Sequence, residues 1–339
     1  MNIANKVIIS FCMLLLIIIL SACEQTEQSQ ENIIMQNEQS KEDIIMENEQ
    51  QNISYSFINS NTGQEFNIIH AYMLYENYFE TVKDNPNESP YELYQQGIIE
   101  PVYDACFKDA EYYKFSLFQW TPEESDFNSI KNQIDSLDKE HMNKLIEESL
   151  VKSSDILSSD KITTVCVFPE NEKFPSDMIT FGTGKITVFL SELNNYFKLS
   201  ELDNYNKSGI SHEYHHSVWF EKHYTKDYFM TVLDNFIAEG SAVMFETLVY
   251  PDTNSIEYVL DESFNKEYWS KIETYLESSG NNEFILGGSN GLPDYYGYSE
   301  GYKMIRSYLN LHPDATVEEW TSKSPREIFE EGDYMANYE

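Results

Sequence analysis

The chain has 339 residues, with 58 acidic against 22 basic side chains and a formal charge of −36 at pH 7. A surface this negative repels phosphate backbones and anionic lipid headgroups alike, which excludes nucleic-acid binding and charge-driven membrane binding. The 25 tyrosines and 20 phenylalanines exclude a disordered acidic chain and supply a sizeable core.

The N-terminus, MNIANKVIISFCMLLLIIILSAC, has one lysine, an apolar run from Val7 to Leu20 and small residues ending at Cys23. The run is too short for a spanning helix, so residues 1–22 read as a secretory signal. LSAC resembles a bacterial lipobox, in which Cys23 becomes the lipidated first residue. The expectation is therefore an extracytoplasmic lipoprotein, anchored to the bacterial cell membrane by acyl chains on Cys23. Residues 23–62 follow as an acidic low-complexity spacer. Within it ENIIMQNEQSK at 31–41 is nearly repeated by EDIIMENEQQN at 42–52, with too few apolar residues to bury.

From residue 63 to 339 the texture is globular. Residues 63–150 read as a helical N-terminal part: FNIIHAYMLYENYFETVKD (66–84) and SPYELYQQGIIEPVYDACF (89–107) both have apolar residues at helical spacing. TPEESDFNSIKNQIDSL adds a capping box of Thr121 and Glu124 with Pro122 in the first turn. Strands are expected at 161–169 and 178–190, the second broken by a turn or bulge at Gly182 and Gly184. Helices resume after that, and Ser324, Pro325 and Glu327 repeat the cap pattern near the end. Helices, a few strands and more helices make an α+β fold, mainly helical with a small mixed sheet. Cys106 and Cys166 are either a disulfide or two buried thiols; spacing does not choose.

Three of the seven histidines fall in SHEYHHSVWF, 211–220. On a helix His212 and His216 project from one face and can share an ion, while Glu213 is left to take a proton from water that the ion activates. The next strongly helical segment carries AEGSA. If it folds back as a helical hairpin, Glu239 becomes the third ligand, and His-His-Glu with an open position is a catalytic zinc set. Gly240 and Ala242 suit close packing of these two helices, and Glu246 and Asp234 are the fallback ligands. His215 lies to the side of the metal face and reads as partly exposed or hydrogen-bonded. His70, His141, His223 and His312 read as structural or surface residues.

Peptide hydrolysis also needs a donor for the oxyanion. LPDYYGYSEGYKMIRSYL (292–309) offers Tyr295, Tyr296, Tyr298 and Tyr302, with Gly297 and Gly301 permitting close backbone approach. Tyr298 is the first choice and Tyr302 the second. GKITVFL (184–190) is a candidate edge strand for pairing with extended substrate, a role that disappears if the strand is central.

HEYHH, AEGSA and YGYSEGYKM, preceded by VFP and FGTGKITVFL, resemble the bacterial predicted zinc-dependent proteases grouped under a domain of unknown function, many of them lipoproteins. The resemblance covers roughly residues 160–335, the expected metal-site core. That family is similar to gluzincins, which implies a zincin-like fold, Zn²⁺ as cofactor, His212, His216 and Glu239 as ligands and Glu213 as base. It brings no known substrate, and the leading expectation is a membrane-tethered zinc metallopeptidase that acts on a peptide or protein. The rival expectation is a silent binding lipoprotein that keeps the fold; an intact Glu213 weighs against it.

Overall fold

A computed structural model describes residues 53–110, 121–170, 178–190, 199–225, 229–251, 263–280 and 283–339. The expected signal, Cys23 and the acidic repeat lie outside them. Ser54 to Glu339 form one unit.

Strand β1 (Ser54–Ile58) pairs antiparallel with β2 (Glu65–Ile69), with Ser54 opposite Ile69 and Ile58 opposite Glu65. Both differ from the sequence expectation. β1 precedes residue 63, inside the stretch read as spacer, and β2 takes the start of the segment read as a helix from residue 66. Phe66, Ile68 and Ile69 fit either period, and β3 (Thr163–Pro169), lying parallel beside them, decides in favour of strand. Helix α1 (Tyr75–Asp84) begins only after that.

The remaining strands are β4 (Met178–Gly182) and β5 (Lys185–Leu190), turning at Gly182 and Gly184 as expected. The sheet order is β1-β2-β3-β5-β4, with β3 and β5 parallel and β4 antiparallel to β5. β5 is therefore central, and the substrate-pairing role expected for residues 184–190 is lost. The edges among the described strands are β1 and β4, and β4 is the one that borders β5. Every residue of β3 is buried, as suits a strand covered on both faces.

On one face β3 directs Val165 and Val167 into a core shared with helix α5 (Lys139–Ile156) and helix α6 (Leu199–His223). On the other, Phe107 packs on Phe168 and Phe181 just after helix α3 (Glu100–Cys106), which lies against the sheet and follows helix α2 (Pro90–Tyr94) through a π turn at Gln95–Ile99. Cys106 and Cys166 form a disulfide that ties the end of α3 to β3. It closes a loop over 60 positions, which stabilises the fold by about 4 kcal/mol in the chain-entropy account.

The expected Thr121–Glu124 cap does not form. Helix α4 (Phe127–Asp135) starts later, because the Asp126 carboxylate turns back to accept from Glu123 N at 2.8 Å. The C-terminal part continues with helices α7 (Val232–Val249), α8 (Lys266–Ile272), α9 (Glu283–Leu286), α10 (Tyr296–Leu311), α11 (Val317–Ser322) and α12 (Pro325–Glu331). The Ser324–Glu327 box that opens α12 is formed as its sequence predicts. The fold is thus α+β, mainly helical with a small mixed sheet. Among the described residues no helix is long and apolar enough to cross a membrane.

Candidate metal centre

Helix α6 displays His212 and His216 one turn apart on the face it turns to α7. A Thr231–Asp234 capping box starts α7, which packs back along α6 as the expected hairpin. Asp234 is spent on this cap, so it drops out as a fallback ligand. Two turns into α7, Glu239 reaches the histidines.

Glu239 Oε2 lies 3.2 Å from His212 Nε2 and 3.2 Å from His216 Nε2, and the two ring nitrogens are 3.0 Å apart. Donors bound at about 2.0–2.2 Å to one tetrahedral ion sit roughly 3.3 Å apart, so this triangle has the size of a zinc site. Two imidazole nitrogens aimed at one point and at one carboxylate oxygen also need a shared cation or proton between them. With no thiolate in the set, the donors match a catalytic zinc, which keeps an open position. Among the described residues this is the one group of histidine, cysteine or acidic side chains that fits a metal ion.

The charges agree with that geometry. Burial works to raise the Glu239 carboxyl, but His216 and His212 outweigh it and hold the group well below the usual carboxylate range. Burial works to lower His212, yet the carboxylates of Glu239 and Glu246 outweigh it and hold this imidazole well above its ordinary value.

Glu246, the other fallback ligand, stands behind the site rather than in it. It is 2 % exposed, its Oε2 lies 3.5 Å from His212 Nδ1, and it accepts from Ser208 Oγ at 3.2 Å. A carboxylate on the far nitrogen orients the ring and selects the tautomer whose Nε2 lone pair faces the metal.

Glu213 points to the sheet side of the site. Thr180 Oγ1, on β4, is 2.8 Å from its carboxylate Oε2 and 2.8 Å from its main-chain oxygen. Sequence reasoning missed Thr180, and no local pattern marks a strand residue that meets a helix 33 positions away.

The tyrosines separate. The Tyr298 ring stacks on His212 with centroids 6.2 Å apart, which places it beside the metal face. Tyr302, one turn further along α10, lies under the Arg306 guanidinium at 5.7 Å. Tyr295 sits edge-on to Tyr298 at 5.8 Å, and Tyr296 turns inward to pack on Phe236. Gly297 and Gly301 do permit close approach: a Cβ on Gly301 would overlap the Phe236 carbonyl of α7.

One expectation is corrected. Gly240 does not serve the α6–α7 contact; it faces α10, where a Cβ would overlap the main chain of Gly301. One residue is a rotation of about 100° on a helix, so with Glu239 toward α6 its neighbour must face elsewhere. Of the two expectations for His215 the hydrogen-bonded one holds: the ring is fully buried, 3.2 Å from Thr321 Oγ1 and stacked on Trp320. Burial, with the neighbouring histidines, pushes it well below its ordinary value. His70, His141, His223 and His312 lie in structural hydrogen bonds with Asn143, Asp203, Thr321 and Tyr308.

A search of curated proteins and one of solved structures each return no match. Residues 142–330 match the family model described as Predicted Zn-dependent protease (DUF2268). The match spans more than half of the chain and contains α6, α7 and α10. The chain therefore belongs to this family of predicted zinc-dependent proteases.

Proposed function

We propose that the chain is a gluzincin-like zinc metallopeptidase, tethered through Cys23 on the outer side of the cell membrane, that hydrolyses peptide bonds with Glu213 as general base. The observation that carries this reading is the convergence of His212, His216 and Glu239 on one point, with Glu213 next to His212 on α6. The Cys106–Cys166 disulfide supports an oxidising compartment.

His212, His216 and Glu239 would hold the metal, and Glu246 keeps the His212 ring in its working orientation. Zinc, when bound, supplies a Lewis acid that polarises the substrate carbonyl and acidifies water. Glu213 takes a proton from the water that attacks the peptide carbon and hands it to the departing amine nitrogen. The C–N bond breaks, the water oxygen stays with the new carboxyl group, whose remaining proton passes to the freed amine or to solvent, and Glu213 is left free of the proton it carried. The Tyr298 hydroxyl donates to the carbonyl oxygen as charge builds on it, and Tyr302 is the second candidate for that donor. Extended substrate pairs along β4, the edge strand beside Glu213.

The test compares the parent with Glu213→Gln in a peptide-library digest, alongside elemental analysis. The variant should keep one zinc and lose at least about 100-fold in hydrolysis. A parent that carries a full equivalent of zinc yet cleaves nothing would instead be a silent binding protein, and the peptidase reading would fall.

A further inference from the structure

Edge strand β4 is fastened to the metal-binding helix at two points. Gly209 and Glu213 are one turn apart on α6, and Met178 and Thr180 are two apart on β4, so each pair lies on one face of its element. A Cβ on Gly209 would stand 2.8 Å from Met178 Sδ, so the helix rests against the strand there. One turn later Thr180 Oγ1 meets both the main-chain oxygen and the carboxylate of Glu213. Immediately beyond Thr180 the pairing of β4 with β5 slips by one residue, a bulge of the kind that re-aims a side chain and bends a strand.

We propose that Thr180 is the positioning residue for the general base, tying the Glu213 carboxylate to the strand on which the peptide is laid. The proposal rests on the peptidase reading above and deepens it. Thr180 is 4 % exposed, and a buried hydroxyl needs a single acceptor, which the Glu213 carbonyl already provides. The carboxylate contact is surplus to that need. Both oxygens stand 2.8 Å from Oγ1 and compete for its single proton, and a carboxylate is the better acceptor of the two. With Oε2 held by Thr180, the other oxygen of Glu213 is the one that works on water. A peptide pairing along β4 then stiffens the strand that fixes the base, so that substrate binding and base alignment are linked.

The test uses the full chain with Thr180→Val, Thr180→Ala and Thr180→Ser, measuring zinc content, melting temperature, kcat and KM on one peptide the parent cleaves. Thr180→Val and Thr180→Ala should keep one zinc while kcat falls about 10-fold to 100-fold with KM within about twofold of the parent. Thr180→Ser should recover most of kcat. Crystal structures supply a readout without turnover: Glu213 holds one rotamer in the parent and the serine variant and leaves it in the other two. Unchanged kcat in Thr180→Val or Thr180→Ala, or a Glu213 carboxylate that stays in place, would overturn the proposal. So would a serine variant as impaired as the alanine one, with a lowered melting temperature in both, which is the mark of a merely structural threonine. A parent inactive on every peptide would defeat the peptidase reading, and the rotamer of Glu213 would still decide whether Thr180 holds it.

Discussion

At the scale of single residues, the site consists of three side chains aimed at one point and a fourth that aims one of them. Glu246 is the aiming residue, since a buried carboxylate against Nδ1 favours the tautomer with a free Nε2. Replacing it by glutamine keeps the shape but removes the charge that opposes loss of the Nδ1 proton. Glu246→Gln should therefore bind zinc about 10-fold more weakly at unchanged fold, read by competition with a chromophoric chelator. Equal affinity in parent and variant would show that Glu246 only fills space. The shared face of His212 and His216 was legible in the sequence because helical periodicity alone puts residues four apart on one side, with Glu213 turned away between them. Glu239 was legible through one further step, the hairpin. The roles of Glu246 and Thr180 were not, because each depends on a contact between elements that no spacing encodes.

At the scale of elements, the crossing of α7 and α10 sets how far the Tyr298 hydroxyl stands from the metal ligands. The two helices meet through Gly240 and Gly301, and at both positions a Cβ would run into main-chain atoms, which cannot rotate aside as a side chain would. Gly301→Ala should force the helices apart, at a cost of about 3 kcal/mol and a melting temperature lower by several degrees. Gly97→Ala is the matched control. Its Cβ would meet Tyr78 at an ordinary 3.9 Å, so stability should hold or rise slightly. Equal melting of the two variants would contradict a backbone-to-backbone crossing. The small residues around Glu239 announced close packing in the sequence, but not the partner, because α10 comes from more than fifty positions further along. In the same way the FNII run announced burial without saying that a parallel strand would receive it.

For the unit from Ser54 to Glu339, tyrosine decides how the fold answers to pH. Tyr72, Tyr75, Tyr78, Tyr94, Tyr214, Tyr296, Tyr334 and Tyr338 are all under 9 % exposed. Burial raises every one of them above the ordinary value, and the Glu300 carboxylate adds to the rise at the last three. Tyr72 and Tyr78 are each pushed up to about 12. The composition announced an aromatic core, but which phenols lie within reach of a buried carboxylate follows only from the return of residues 334–338 onto α10. The sign of the linkage is fixed. Below pH 10 both states are protonated and the folded state keeps its full stability; above it the unfolded chain ionises while the folded one does not, so stability falls as pH rises toward the folded values. Each group then forfeits about 1.4 kcal/mol per pH unit. Eight of them lose on the order of 10 kcal/mol by about pH 11, comparable with the whole stability of a domain. The protein should therefore unfold cooperatively near pH 11, with tyrosinate absorbance and loss of helical circular dichroism rising together. Tyrosines that titrate one by one while the helical signal persists past about pH 12 would show that the buried phenols are not what holds the fold against alkali.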